Sequence, residues 1–499
     1  MSAIITEKFR LHNAAQFEES FSETASDTYY TFIGKSSPFT TATSGGSDIS
    51  PPIPVDSVGE TEYYAWDSMI GAKKLTVSDV HRVIPRRNWS NSTVFDMYRH
   101  DISSSNTSTS GASSLYDSSF YFMTTDFNVY KVLDNNGGTA YSGVEPTSTA
   151  TAPFSLGGYL LQYMYTITSS DAQKFVTSDF IPVETDESVN GVQSAAIDGA
   201  IESLAITAGS GYTDGTYYAA VYGDGDNAGT ASGAIVRITV SGGQIQSFGL
   251  TAGTDTTIHS AGTNYTFGTV NLGSGFTFSD SGLSSASNMG GSDGAVNVII
   301  SPKNGHGFDA VAELGGHFVM TTTTLTGGES DDFTTANDFR QIGLVVNPIE
   351  FDGTDPATLS TARQTFAVVF PSGTGDFVID EEINQASTNA VGKVVEWDSS
   401  NRILFYQQER FSDFGTHTDG SAPAFSGANA ITGQTSGTAR TPDTTASSVT
   451  FGSTTITLTS GYANPELQPD SGNIVYLEQR KPISRNTDQS EDIRLIIEF

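Results

Sequence analysis

His306, Asp309, Glu313 and His317 lie within a dozen residues, and on a continuous helix they would share one face. Two imidazoles and two carboxylates spaced in that way are a plausible ligand set for a divalent metal. The glycines of the same stretch argue against it. Gly305, Gly307, Gly315 and Gly316 bracket and interrupt the segment, so helix propensity leaves only a short turn around 308–314. The expectation is a hydrogen-bonded histidine in a glycine-lined turn, with no metal and no cofactor.

Other chemical signatures fail on their surroundings. Gly290-Gly-Ser292-Asp-Gly294 has the spacing of a nucleophile elbow, but it follows a Ser-rich loop where a buried strand is required. Gly34-Lys35-Ser36 resembles the end of a phosphate loop, yet Tyr29 stands where that loop needs its first glycine. Asp224-Gly-Asp226-Asn227 lacks the later Gly and Glu of a calcium loop and reads as a β-turn with acidic corners. Acids are plentiful, but no spacing selects a pair facing across a cleft, so no enzyme is expected. A basic patch does stand out: Lys73, Lys74, Arg82, Arg86 and Arg87, beside Trp66 and Trp89. Arginine and tryptophan anchor protein interfaces, and in so acidic a chain this reads as a docking surface for an acidic partner.

These residues must be carried by β-structure. Of 499 residues, 37% are apolar and 16% charged, and Gly, Ser, Thr, Asn and Asp fill much of the remainder. That composition favours strands and turns over long helices. One helix is expected at the N-terminus, where Phe9, Asn13, Phe17 and Phe21 recur every four residues after Ile5 and would dock on a core. Strand-like runs follow at 28–33, 120–123, 129–133 and 159–167, with turn-rich segments such as 134–138 between them, and 103–114 reads as an exposed loop.

From about residue 195 the texture becomes rich in Gly and Thr, and Ile201-Glu-Ser-Leu-Ala-Ile-Thr-Ala-Gly209 recurs as Ile245-Gln-Ser-Phe-Gly-Leu-Thr-Ala-Gly253. Tyr212 and Tyr265 close equivalent turns, which points to pseudo-twofold strand pairs. A second block repeats Phe377 and Ile383 as Phe425 and Ile431, and contains a hairpin of 392–397 with 403–406. The fold class expected is mainly β, hairpin-rich with few short helices. It would be a composite core of 1–194, 293–370 and 463–499 carrying two inserted β modules, 195–292 and 371–462.

Acidic residues outnumber basic ones 56 to 23, a net charge of −33 that repels nucleic acid and anionic membranes. There is no cysteine, so neither disulfides nor thiolate metal sites contribute. No apolar run is long enough to span a membrane, and the start does not read as a signal peptide. The protein is expected to stay where it is made, or to leave inside a particle.

Several motifs then resemble a known family in the same order. They are Gly34-Lys-Ser-Ser-Pro-Phe39, Pro51-Pro-Ile-Pro-Val-Asp-Ser-Val58, Val83-Ile-Pro-Arg-Arg-Asn-Trp89, Asn337-Asp-Phe-Arg-Gln-Ile-Gly-Leu-Val-Val-Asn-Pro-Ile349, Ile474-Val-Tyr-Leu-Glu-Gln-Arg-Lys-Pro-Ile483 and Asp488-Gln-Ser-Glu-Asp-Ile493. The chain resembles the baseplate wedge subunits of contractile-tailed, T-even-type phages, while the two repeat blocks look like modules of related marine phages.

The resemblance implies a non-enzymatic structural subunit of the virion tail, assembled in the bacterial host cytoplasm. It would pair as a homodimer in each of six wedges, touch the other wedge proteins, and move as a rigid body when the baseplate switches. It also marks Arg86, Arg87, Trp89, Phe339, Arg340, Asn347, Tyr476, Arg480 and Pro482 as interface or structural residues. The alternative is a receptor- or glycan-binding tail protein, with Tyr212, Tyr217, Tyr218 and Tyr265 on the inserted modules as stacking platforms. For Tyr212 and Tyr265, turn and core positions are the simpler expectation.

Overall fold

The computed structural model describes residues 6–23, 27–39, 46–55, 60–193, 196–273, 283–327, 333–335, 337–409, 422–486 and 488–499. Strand accounts for 40% and helix for 10%, so the fold is mainly β as the composition requires. The chain parts into two compact units. One holds Met1–Ala15, His81–Met320 and Ile497–Phe499, and the other Gln16–Val80 and Thr321–Ile496. These units cut across the five segments drawn from sequence texture.

The first unit is organised on an antiparallel sheet in the order Tyr121–Met123, Asn128–Asp134, Tyr159–Thr166, Phe154–Leu156. Every residue of Asn128–Asp134 is buried, because both faces of the sheet are covered. One face joins a large aromatic core that includes Phe95, Phe120, Phe122, Tyr130, Tyr141 and Leu161. Leu133 and Leu160 belong instead to the core of a second, seven-stranded sheet. That sheet is drawn wholly from 201–300, and its two longest strands, Ile201–Tyr212 and Gly290–Ile300, pair antiparallel. The strand Val80–Pro85 pairs with Phe180–Pro182, and between them in sequence Thr168 caps the short helix Ser169–Phe175 through Asp171 N.

The second unit contains a five-stranded antiparallel sheet in the order Thr361–Arg363, Met69–Lys74, Tyr29–Gly34, Phe339–Val346, Asn473–Ile483. Its core includes Tyr30, Phe32, Trp66, Met69 and Val345. Gly343 is required there, since a Cβ would stand 2.2 Å from the Phe32 ring. A further seven-stranded sheet comes from 366–463, with the expected hairpin seen as Ala390–Asp398 and Ile403–Gln407. Its strands alternate: Leu404 and Tyr406 face one core, Ile403 and Phe405 the other. The repeated residues Phe377, Ile383, Phe425 and Ile431 all meet in the first of these cores.

Two expectations are corrected. The N-terminal helix, Glu7–Glu19, buries only Ala14 among its residues, and Phe9 is 53% exposed. A four-residue spacing drifts about 40° per step around a 3.6-residue helix, so Phe9 and Phe21 cannot share a stripe. Phe21 lies beyond the helix and, with Phe17, packs on Tyr29 at ring distances of 4.1 and 5.5 Å. Ile5 lies outside the described residues. The repeat from Ile201 and Ile245 does not give matched strands either. Its first copy is a long strand, whereas the second leaves the sheet after Ile245. The Asp255 carboxylate accepts from Thr251 N at 2.9 Å and closes a turn there. No helix among the described residues is long and apolar enough to cross a membrane.

Phe122 is sealed among Phe95, Tyr130 and Tyr141. Phe122→Ala is expected to lower unfolding free energy by about 3–5 kcal/mol in urea denaturation. Phe9→Ser should change it by less than about 0.5 kcal/mol.

Candidate functional site

The four residues 306, 309, 313 and 317 are not one metal site. The helix Ala310–Leu314 is a single short turn, capped by Asp309 through Ala312 N and ended by Gly315 at φ 83°. That left-handed residue turns His317 off the helical face. Glu313 is committed elsewhere: one carboxylate oxygen lies 2.6 Å from Lys131 Nζ, and the other accepts from Gly307 N at 2.8 Å and Asp309 N at 3.2 Å. Burial pushes the Lys131 amine below its ordinary pKa, and Glu313 opposes that shift. His317 Nδ1 is 3.7 Å from a Glu7 carboxylate oxygen.

His306 is fully enclosed, and burial together with the Lys131 charge holds it well below its usual pKa, hence neutral. It does not meet the hydrogen-bonded expectation, since neither ring nitrogen has a hydrogen-bond partner among the described residues. With Glu202, Gln162, Leu133, Leu160 and Phe248 it lines a cavity of about 340 Å³.

The other motifs resolve into framework. Gly290–Gly294 forms the start of the strand Gly290–Ile300, which runs on where an elbow needs a helix. Asp224 accepts from Thr266 N and Phe267 N, and Asp226 from Thr263 Oγ1 and Asn264 Nδ2, which makes the acidic turn expected. Tyr212, Tyr217 and Tyr265 are buried. Their hydroxyls are engaged with Gly294 N, Thr213 O and Ala234 N, while Tyr218 packs edge-on against His259.

The basic and family-marked residues divide into two groups. Most are occupied within their own unit. Arg86 donates to Asn88 Oδ1 and Thr177 O, and Arg87 donates to Tyr116 O and lies over the Tyr121 ring. Trp89 packs edge-on against Tyr141, and Arg82 is half-buried. In the second unit Lys73 donates to Thr324 O and Lys74 is half-buried. Phe339 is buried. Asn347, at φ 51°, accepts from Thr28 N and donates to Asp27. Tyr476 donates to Glu478. Arg480 and Pro482 are exposed on Asn473–Ile483, the strand that ends the five-stranded sheet. Charge and proline there discourage uncontrolled edge pairing.

The outward apolar surface is a feature the residue-by-residue reading passed over. Ile49, Ile53 and Val55 are 83%, 87% and 70% exposed, interleaved with Pro51, Pro52 and Pro54. Proline fixes φ and removes a donor, which stiffens 51–55 of this strap, and that stretch follows a turn in which Ser47 N donates to Ser50 O. Its root is held hard. Arg340 Nε and Nη2 bind the two Asp48 carboxylate oxygens at 2.9 and 3.0 Å, while Nη1 donates to Ser36 O and Asp48 accepts from Phe39 N. The side-chain hydrogen bond from Arg340 is foremost in holding the Asp48 carboxyl below its ordinary range, against a smaller burial effect. Each isoleucine left in water forgoes about 1.5–3 kcal/mol of burial, which makes the segment a candidate contact surface. The alternation of proline with Ile and Val was a readable signal for it.

Residues 3–140 are similar to the family model described as bacteriophage T4 Gp8. No curated protein matches the chain. Asp48 and the strap lie inside the matched stretch, and Arg340 lies outside it.

Arg340→Met leaves Asp48 with an unanswered charge and is expected to cost about 2–3 kcal/mol of unfolding free energy at neutral pH. Asp48 has a depressed folded pKa, so the pair's contribution is fully present above the ordinary carboxylate value near 3.8 and declines as pH falls from there through the lower folded value. The gap between wild type and variant should therefore narrow on acidification, measured by denaturation at pH 7 and near pH 3.

Proposed function

With its first 140 residues carrying the Gp8 signature, we propose that this protein is a non-enzymatic wedge subunit that holds neighbouring baseplate proteins together. The observation that carries this reading is the apolar strap Ile49–Val55, which lies within the matched stretch and is pinned by the pairing of Asp48 with Arg340. A joint must present apolar area to its neighbour without losing its own fold. Here the presenting segment is stiff and its anchor is a bidentate ion pair. The net charge of −33 keeps unassembled copies apart until a complementary surface is met.

The finer elements of the proposal follow from the same reading. The chain pairs as a homodimer in each wedge, is assembled in the bacterial cytoplasm, and shifts as a rigid body in the baseplate switch, its sheets intact. The stretches 195–292 and 371–462 act as added β modules on that body. Burial of Tyr212, Tyr217 and Tyr265 withdraws three of the four tyrosines that a sugar-stacking role would use.

Replacing Ile49 and Ile53 together by Asp should leave the unfolding midpoint within about a degree of wild type, since both side chains are already in water. Incorporation into assembled baseplates should fall at least about tenfold, by quantitative analysis of purified tails from complemented infections. Normal incorporation of this double variant would remove the strap from the joint, and a catalytic turnover traced to the chain would end the structural reading.

A further inference from the structure

His81, Asp171 and Glu184 come from three elements of the first unit, and one ligand atom of each lies within 4.8 Å of the others. The register of the short pair explains how. Val83 faces Pro182 and Ile84 faces Ile181, and one Val183 N to Arg82 O bond extends the ladder, so Glu184 falls opposite His81. Asp171 enters from the first turn of the helix Ser169–Phe175, whose last residue, Phe175, packs against the His81 ring at 5.3 Å.

We propose that these three side chains bind a divalent transition-metal ion that ties the helix to the strand pair. His81 Nδ1 is 2.8 Å from Arg82 O and donates to it, which fixes the tautomer and leaves Nε2 with its lone pair free. A metal-binding histidine is held in just this way, its other ring nitrogen donating to a backbone carbonyl. The Glu184 carboxylate is half-buried and makes no hydrogen bond among the described residues. Asp171 has one oxygen occupied by the Thr168 hydroxyl, which leaves the second for an ion.

One imidazole and two carboxylates suit Zn²⁺ or Mn²⁺, with water completing the shell, better than a hard ion that prefers oxygen alone. Bonds of about 2.1 Å place ligand atoms about 3.4 Å apart in a tetrahedral shell, so from separations of up to 4.8 Å the side chains need to close by up to about 1.4 Å. Burial foremost raises the Glu184 pKa, opposed by His81 and reinforced by Asp171 and Asp186, and an ion would relieve that carboxylate crowding. The role is structural and adds to the wedge reading without depending on it.

The test uses the full-length chain stripped with a chelator, titrated calorimetrically with ZnCl₂ and separately with MnCl₂, with thermal unfolding in parallel. Saturable binding of one ion per chain is expected for at least one metal, with a raised unfolding temperature. His81→Ala and the isosteric Glu184→Gln should each weaken it at least about tenfold. Should His81→Ala fail to fold, Glu184→Gln alone decides the matter. No saturable binding to wild type, or undiminished affinity in Glu184→Gln, overturns the proposal.

Discussion

Lys131 sits at the centre of a strand covered on both faces, where its ammonium cannot reach water. Such a charge is tolerable only with a partner of opposite sign and every remaining hydrogen-bonding position filled. Glu313 supplies the first, 2.6 Å away, and the Tyr98 ring lies 4.0 Å beneath the same nitrogen. The second Glu313 oxygen takes the backbone N–H groups of Gly307 and Asp309. One interaction thereby pulls the glycine-rich 306–314 segment onto the central sheet and fixes its short helix. Replacing both partners by apolar residues could be neutral for stability. The pair's contribution is to specify which segment covers that face.

The second unit uses the same device with a different geometry. Arg340 is buried within a strand, and its planar fork fits the two oxygens of Asp48. The loop that carries Asp48 is thus set by a strand nearly three hundred residues later in the chain. The strap beyond it inherits that rigidity. A segment rooted in this way has less ordering entropy to lose on contact than a mobile apolar segment would.

The arginines that composition marked as interface anchors are mostly turned inward. Arg86 and Arg87 satisfy carbonyls and an amide of their own unit. A basic residue in an acidic chain invites an intermolecular reading. The backbone carbonyls at loop ends are nearer at hand, however, and a guanidinium with five donors satisfies several of them at once. The exposed apolar residues Ile49, Ile53 and Val55 lie among prolines and are less conspicuous in a residue count.

Local pattern sufficed wherever the chemistry is local. Strand alternation read the 390–407 hairpin, glycine placement limited the 308–314 helix to a turn, and acidic corners read the turn at Asp224. It failed where a short repeat or a four-residue period met competing geometry, as in the N-terminal phenylalanines and the second copy of the 201–209 motif. The sequence by itself determined a β-rich, cysteine-free, strongly acidic chain with a recognisable family signature, since composition and period act over a few neighbouring residues. Tertiary structure alone decided that Asp48 answers Arg340, that Lys131 answers Glu313, and that His81, Asp171 and Glu184 converge. Strand register and packing bring such groups together, and neither is written in the spacing of the residues concerned.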